Sequence, residues 1–284
     1  MYNIVTMHQG QLFHWDHCFL WGCTNDEEAH NRRDSHVHRE YEIYCTIEGE
    51  SEYIVDGYKF HAFADSLLLV PSDFFHQYWY YPGKLHRYWS LHFLPELLDD
   101  TERELIKRIF SAPQLIPNRF RLNLDLFFQA LINSKKLPVN LQGVTIKNLI
   151  VSLLVQIYLL SDKIADKPQI IDKRIQKVIA YINTHLEHEI TMDQLADVSF
   201  VTKNYLSTLF HKVIGVSVKK YITIKRMEFV RQNIISGLNA GESAFKAGFN
   251  DYSTFYRAYK SIYNYPPSEF MISNDHIPSD PNKD

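Results

Sequence analysis

Two stretches of this sequence collect side chains that can do chemistry. The first is Asp34-Ser-His-Val-His-Arg-Glu-Tyr-Glu42, where His36, His38 and Glu42 stand at H-x-H-x3-E spacing. On a strand the side-chain period is two, so these three share one face. Pro71-Ser-Asp-Phe-Phe-His76 supplies another imidazole downstream. Imidazole and carboxylate together suit iron, manganese, nickel or zinc. They equally suit hydrogen bonding to a polar small molecule, with Tyr44, Tyr53, Trp79, Tyr80 and Trp89 as aromatic walls. A third reading makes them structural groups at a barrel rim. His61, His86 and His92 read as surface or core histidines.

The second stretch offers polar groups at helical spacing. Thr202, Lys203, Asn204, Ser207, Thr208 and His211 form one set, and Tyr252, Ser253, Thr254, Tyr256, Arg257 and Lys260 another. Lys, Asn, Ser and Thr on an exposed helix face can reach phosphates and base edges in a major groove. There is no G-x-S-x-G, no Ser-His-Asp ordering and no phosphate-binding glycine loop, in a chain with only 10 glycines. No catalytic residue is expected, and the chain reads as a non-enzyme.

The elements that must position these groups divide the 284 residues in two. Tyr41–Ile47, Ser51–Val55, Tyr58–Phe63, Ser66–Val70 and Tyr88–Phe93 are rich in Tyr, Ile, Val or Leu and bounded by turn residues, so they read as strands. Asp56-Gly57 between two of them is a hairpin signal. Closely spaced short strands imply a small antiparallel barrel, which can hold one small molecule. After Pro95 the apolar spacing becomes helical over Leu97–Phe110, Leu122–Leu131 and Val144–Leu160.

Residues 172–271 are helical nearly throughout. Thr191-Met-Asp-Gln194 has capping-box spacing and opens a short helix. A turn at Ser199-Phe-Val201 leads to a second helix that buries Tyr205, Leu206, Leu209, Phe210 and Val213. The pattern recurs as Glu242–Ala247, a turn at Gly248-Phe-Asn250, and a helix burying Phe255, Ala258, Tyr259 and Ile262. A longer helix, Val218–Ile235, separates two helix-turn-helix patterns. Two reading helices on one DNA face would enter successive major grooves, ~34 Å apart.

Charge follows the same division. Residues 172–271 hold 13 basic and 9 acidic side chains, a net of +4, and the remainder nets −7, giving −3 for the whole. Cys18, Cys23 and Cys45 lack CxxC spacing and suit a reduced compartment. The first residues lack a signal-peptide pattern, and the most apolar run, Leu149–Leu160, is shorter than the ~20 residues of a membrane span. A cytoplasmic protein without a membrane partner is expected.

The second half resembles the AraC/XylS family of transcription regulators over about 100 residues. The anchors are Leu195-Ala196, Tyr205-Leu206-Ser207, Leu209-Phe210, Gly215, Tyr221, Arg226, Gly248-Phe249, Phe255-Tyr256-Arg257 and Pro267-Ser268-Glu269-Phe270. The resemblance implies double-stranded DNA as partner, with tandem motifs in adjacent major grooves. It also implies a homodimer, an activator working with RNA polymerase, and a small effector, a sugar being the first expectation. The chain departs from the pattern at Phe200, where glycine is common, at Met271, and at Ala240 and Ser243, where bulkier aliphatics are usual. Smaller side chains there imply looser packing of the second motif, so the first is expected to dominate recognition.

The first half is similar to cupins. That resemblance makes His36, His38, Glu42 and His76 candidates for a divalent metal, although Asp73 stands where metal cupins carry glycine. The metal would serve a sensor or, as the alternative to a regulator without catalysis, a metal-dependent enzyme joined to the DNA-binding module. In sensor barrels the same groups, with Tyr44, Tyr53 and Trp79, would hold a small ligand, with no resident cofactor. The expected fold is α+β: a cupin-like β-barrel (1–95), a helical dimerisation segment (96–161), a linker (162–171), an all-α tandem helix-turn-helix domain (172–271) and a tail (272–284).

Overall fold

Turn chemistry sets the register of the first unit. Asp56 and Gly57 take φ of 42° and 80°, so both turn residues are left-handed, as a two-residue hairpin requires. Val55 and Tyr58 then pair directly across the hairpin. The computed structural model describes residues 10–15, 18–25, 32–81, 85–117, 122, 124–161, 169–235, 237–263 and 266–267. The expected tail at 272–284, Met271, the Ser268–Phe270 anchor and linker positions 162–168 lie outside these residues. The chain divides into two compact units, Met1–Ile170 and Ile171–Asp284.

The first unit contains β1 (Gly10–Trp15), β2 (Cys18–Asn25), β3 (Arg32–His36), β4 (Tyr41–Glu48), β5 (Glu50–Val55), β6 (Tyr58–Phe63), β7 (Ser66–Val70), β8 (His76–Tyr80), β9 (His86–Phe93), β10 (Gln114–Pro117) and β11 (Gln169–Ile170). They form two antiparallel sheets, ordered β1-β2-β9-β4-β7-β10 and β11-β6-β5-β8-β3. Part of the expected linker is therefore sheet, because β11 pairs with Tyr58 and Lys59 of β6.

The period of two sorts side chains between two cores. Tyr44, Leu68, Val70 and Tyr88 of one sheet meet Tyr53, Val55, Phe60, Ala62 and Tyr78 of the other. The alternate residues Ile43, Cys45, Leu67, Leu69, Trp89, Leu91 and Phe93 pack against helices instead. β7 is buried at every position because both of its faces are covered.

Those helices are α1 (Asp100–Ile109), α2 (Leu124–Asn133) and α3 (Val139–Ser161). α1 begins at a capping box between Asp99 and Glu102. α3 runs 23 residues, longer than its most apolar stretch, and is long and apolar enough to cross a membrane. One face is committed to the core, with Ile146, Ile150, Leu153, Leu154 and Ile157 all at most 2% exposed.

The second unit contains α4 (Lys173–Thr184), α5 (Met192–Ser199), α6 (Lys203–Ile214), α7 (Val218–Ile235), α8 (Ala240–Lys246) and α9 (Tyr252–Tyr263). The Thr191–Gln194 capping box forms, and Thr202 caps α6 by accepting from Tyr205 N. Asn239 caps α8, and Asp251 accepts from Thr254 N at the start of α9. Leu206, Phe210, Val213 and Ile214 form the buried face of α6. Tyr205, expected on that face, is 48% exposed and lies under the Arg174 guanidinium of α4. The second motif has its own core of Met227, Val230, Ile234, Ala244, Ala247, Phe249, Phe255 and Tyr259. Ser243 is fully buried there and donates to Asn239 O.

Candidate sensor centre and DNA-reading surface

Glu42 points from β4 into the space between the sheets and is 5% exposed. Three imidazoles converge on it. His38 Nε2 and His76 Nε2 stand 3.5 Å and 3.3 Å from Glu42 Oε2, and His92 Nε2 stands 3.7 Å from Oε1. The Ser90 hydroxyl donates to Glu42 Oε1 and accepts from His92 Nε2. The His36 ring sits 4.0 Å from that of His76, centroid to centroid, with β3 and β8 pairing these two residues. The predicted set of His36, His38, Glu42 and His76 therefore meets in one place. His92, read from sequence as a packing residue, belongs to the centre as well.

The outer ring nitrogens explain the orientation of two of these groups. His38 Nδ1 donates to Glu40 O at 3.1 Å, and His76 Nδ1 donates to Phe74 O at 2.9 Å. Each bond fixes a tautomer whose Nε2 lone pair faces the carboxylate. Lone pairs facing a carboxylate repel it unless positive charge intervenes. Protons or a cation can supply that charge. Burial pushes Glu42 upward, but the His92 charge and the bonds from His38 and His76 outweigh it and hold the carboxyl well below its usual range. Burial lowers His38, but its bond and charge interaction with Glu42 outweigh that and raise it.

Next along the same face, Tyr44 and Tyr53 form an aromatic layer. Both are 1% exposed, their rings lie 4.8 Å apart, and Tyr44 Oη meets His86 Nε2 at 2.8 Å. Burial raises both phenols well above their usual range. Tyr44 and Tyr53 are thus interior, but packed edge-on against each other.

Two aromatic expectations are corrected. Trp79 pairs with Glu52 while its neighbour Tyr78 pairs with Tyr53, so strand alternation turns Trp79 away from the interior. Trp89 likewise faces the helices and stacks on Phe128 at 4.9 Å.

In the second unit, all twelve predicted reading residues are exposed: Thr202, Lys203, Asn204, Ser207, Thr208 and His211 at α6, and Tyr252, Ser253, Thr254, Tyr256, Arg257 and Lys260 on α9. Several also serve local structure. Thr202 is a cap, Lys203 pairs with Asp193 at 2.9 Å, Thr208 Oγ1 donates to Asn204 O, and Thr254 Oγ1 donates to Asp251. Asn204, Ser207 and His211 share the outer face of α6.

Both units match models of known families. The family model described as an AraC-like ligand binding domain matches residues 22–144, and a helix-turn-helix domain model matches residues 195–272. An uncharacterised HTH-type transcriptional regulator, YbfP of Bacillus subtilis, is 27% identical over 100 residues, covering 35% of this chain and 34% of that protein. The XylDLEGF operon transcriptional activator 1 of Pseudomonas putida is 29% identical over 101 residues, covering 34% and 30%. The chain spans about a third of the length of the curated relatives it matches first. Among solved structures, ToxT from Vibrio cholerae aligns over 93% of this chain and 100% of its own, with 10% identity and a TM-score of 0.39.

Proposed function

The chain belongs to the AraC/XylS family of DNA-binding transcription regulators, and from that premise we propose that its first unit senses a small polar effector, a carbohydrate, at the centre built on Glu42. The observation that carries this reading is the convergence of His38, His76 and His92 on one buried carboxylate, with His36 packed against His76, inside the region matched by the ligand-binding model. A buried ionised group is costly unless fully partnered, so a cluster this polar suits a ligand with matching hydroxyls. Effector binding shifts DNA affinity only if it favours one arrangement of the chain over another. Activation through RNA polymerase is the sign of regulation proposed, and it is supported by the likeness to a named operon activator.

A thermal-shift screen of the full chain against a carbohydrate panel tests the effector class. At least one sugar raises the melting temperature, and His38→Ala abolishes the rise. No shift across the panel, with promoter output indifferent to every sugar, overturns it.

The dimer is proposed to form on the outer face of α3. Val144, Val155 and Leu159 are 53%, 39% and 63% exposed and recur at helical spacing opposite the core-facing residues. Charge-introducing changes there convert a dimer to a monomer in sedimentation, whereas an unchanged mass rejects this interface.

A specific observation favours a second reading, a divalent metal as the effector. Ligand atoms about 2.1 Å from a tetrahedral ion stand about 3.4 Å apart, close to the 3.3 Å and 3.5 Å between Glu42 Oε2 and the two imidazole nitrogens. The carbonyl-bound Nδ1 atoms are the outer partners that metal-ligating histidines commonly use. Metal analysis of purified protein decides between the readings. Stoichiometric zinc, iron, nickel or manganese that disappears in His36→Ala and His38→Ala selects the metal.

A further inference from the structure

α7 belongs to two cores at once. Near its start, Tyr221 lies edge-on to Phe210 of the first motif, at 5.3 Å. Further along, Met227, Val230 and Ile234 belong to the core of the second. Arg226 sits between these sets. It donates from Nε to Leu186 O at 3.2 Å and from Nη2 to His188 O at 2.6 Å, two carbonyls of the segment joining α4 to α5. The same guanidinium lies 5.9 Å from the ring centroid of Phe249, in the turn between α8 and α9.

That turn approaches so closely that it has no room for a side chain. Gly248 adopts φ of +81°, and a Cβ there would lie 2.6 Å from Leu186 O and 2.8 Å from Arg226 Nη2. Three segments therefore meet on one planar fork: the entry to the first motif, the connecting helix and the turn of the second motif. A guanidinium holds two acceptors in fixed directions, which a single ammonium cannot do.

We infer that Arg226 is the positioning residue that fixes the second reading helix against the first, and so sets the spacing of the two DNA elements the chain reads together. The inference rests on the DNA-reading role given to α6 and α9. It concerns geometry, since Arg226 is remote in sequence from the side chains proposed to touch bases.

The test uses the full chain and duplexes that the wild-type protein selects from a random-sequence library. The wild type selects two elements at one spacing and rejects insertion or deletion of one or two base pairs between them. Arg226→Gln binds a duplex carrying only the stronger element within about twofold of wild type. On the two-element duplex it loses at least tenfold, and it tolerates altered spacing. Arg226→Lys retains the charge and one carbonyl contact, folds, and relaxes the spacing requirement in part. A folded Arg226→Lys or Arg226→Gln chain with wild-type spacing discrimination overturns the inference. So does an equal loss on one-element and two-element duplexes. A wild-type chain that selects no duplex rejects the DNA-reading role itself, and this inference with it.

Discussion

His86 shows how burial converts one imidazole into a pH-dependent stability term. It is 1% exposed, bonds Tyr44 Oη through Nε2, and burial lowers its pKa to about 4. Between pH ~6.5 and ~4 the unfolded chain holds a proton that the folded chain does not. Stability of the first unit therefore falls as pH falls through that window, by up to roughly 3 kcal/mol. His38 has the opposite sign: its raised pKa contributes stability below ~6.5 that is lost as pH rises past the folded value. Glu42, held low, contributes above ~4.3 and loses that contribution as pH falls through its folded value. Thermal melts of the full chain in chelator across pH 4–9 check this balance. His86→Phe removes the acid slope between ~6.5 and ~4 while costing about 1–3 kcal/mol at neutral pH, because Tyr44 Oη loses its partner. An undiminished slope in that variant rejects the assignment. The H-x-H-x3-E spacing singled out His36, His38 and Glu42, but they do not share one strand as expected: β3 ends at His36, His38 lies in the connection, and Glu42 is on β4. The sequence hid His92, because β9 is buried on both sides and alternation alone does not say which face meets the carboxylate.

At the scale of elements, the end of α5 carries a conflict between residue type and backbone. Phe200 takes φ of 56° at the turn into α6 and is 84% exposed. A non-glycine residue there costs roughly 1–2 kcal/mol, against which its contact with Lys177 returns about 0.5–1 kcal/mol. Phe200→Gly should raise stability by about 1 kcal/mol, read as a higher denaturant midpoint. A lower midpoint would mean that the aromatic holds the turn. At the other end of α5, Thr191→Ala should cost about 1 kcal/mol by breaking the capping box. These helices were legible because caps, turns and apolar period agree along the chain. The strands at β1, β2, β3 and β8 were not. β2 carries Gly22 and Thr24, β3 reads Arg-Arg-Asp-Ser-His, and their pairing to β9 and β8 is a long-range choice. β10 and β11 are too short for any period to register. Tyr205, Trp79 and Trp89 were misplaced for a related reason. Aromatic type and spacing indicate that a side chain packs, but the facing element decides where.

For the molecule as a whole, the net charge of −3 joins a +4 reading segment to a remainder of −7. A charge of +4 provides modest phosphate attraction, so tight operator binding would draw on base contacts and on the two copies proposed above. A reading segment that neutralises roughly four to five phosphates gives a log–log salt slope of about −4, and two copies on one operator give about twice that. The exposed apolar face of α3 is where the second copy is proposed to attach, and Val155 and Leu159 are accessible there without being core. Changing both to Glu should leave the fold intact, halve the salt slope on the selected operator and weaken binding at least tenfold. Affinity and slope are measured together by titration at several salt concentrations, because affinity alone confuses lost contacts with lost dimerisation. A weakened variant that keeps the full slope would still bind as two copies, and α3 would then not be the interface. A halved slope with wild-type melting behaviour would tie the dimer to that helix and show that its exposed outer face serves assembly while the opposite face serves the core.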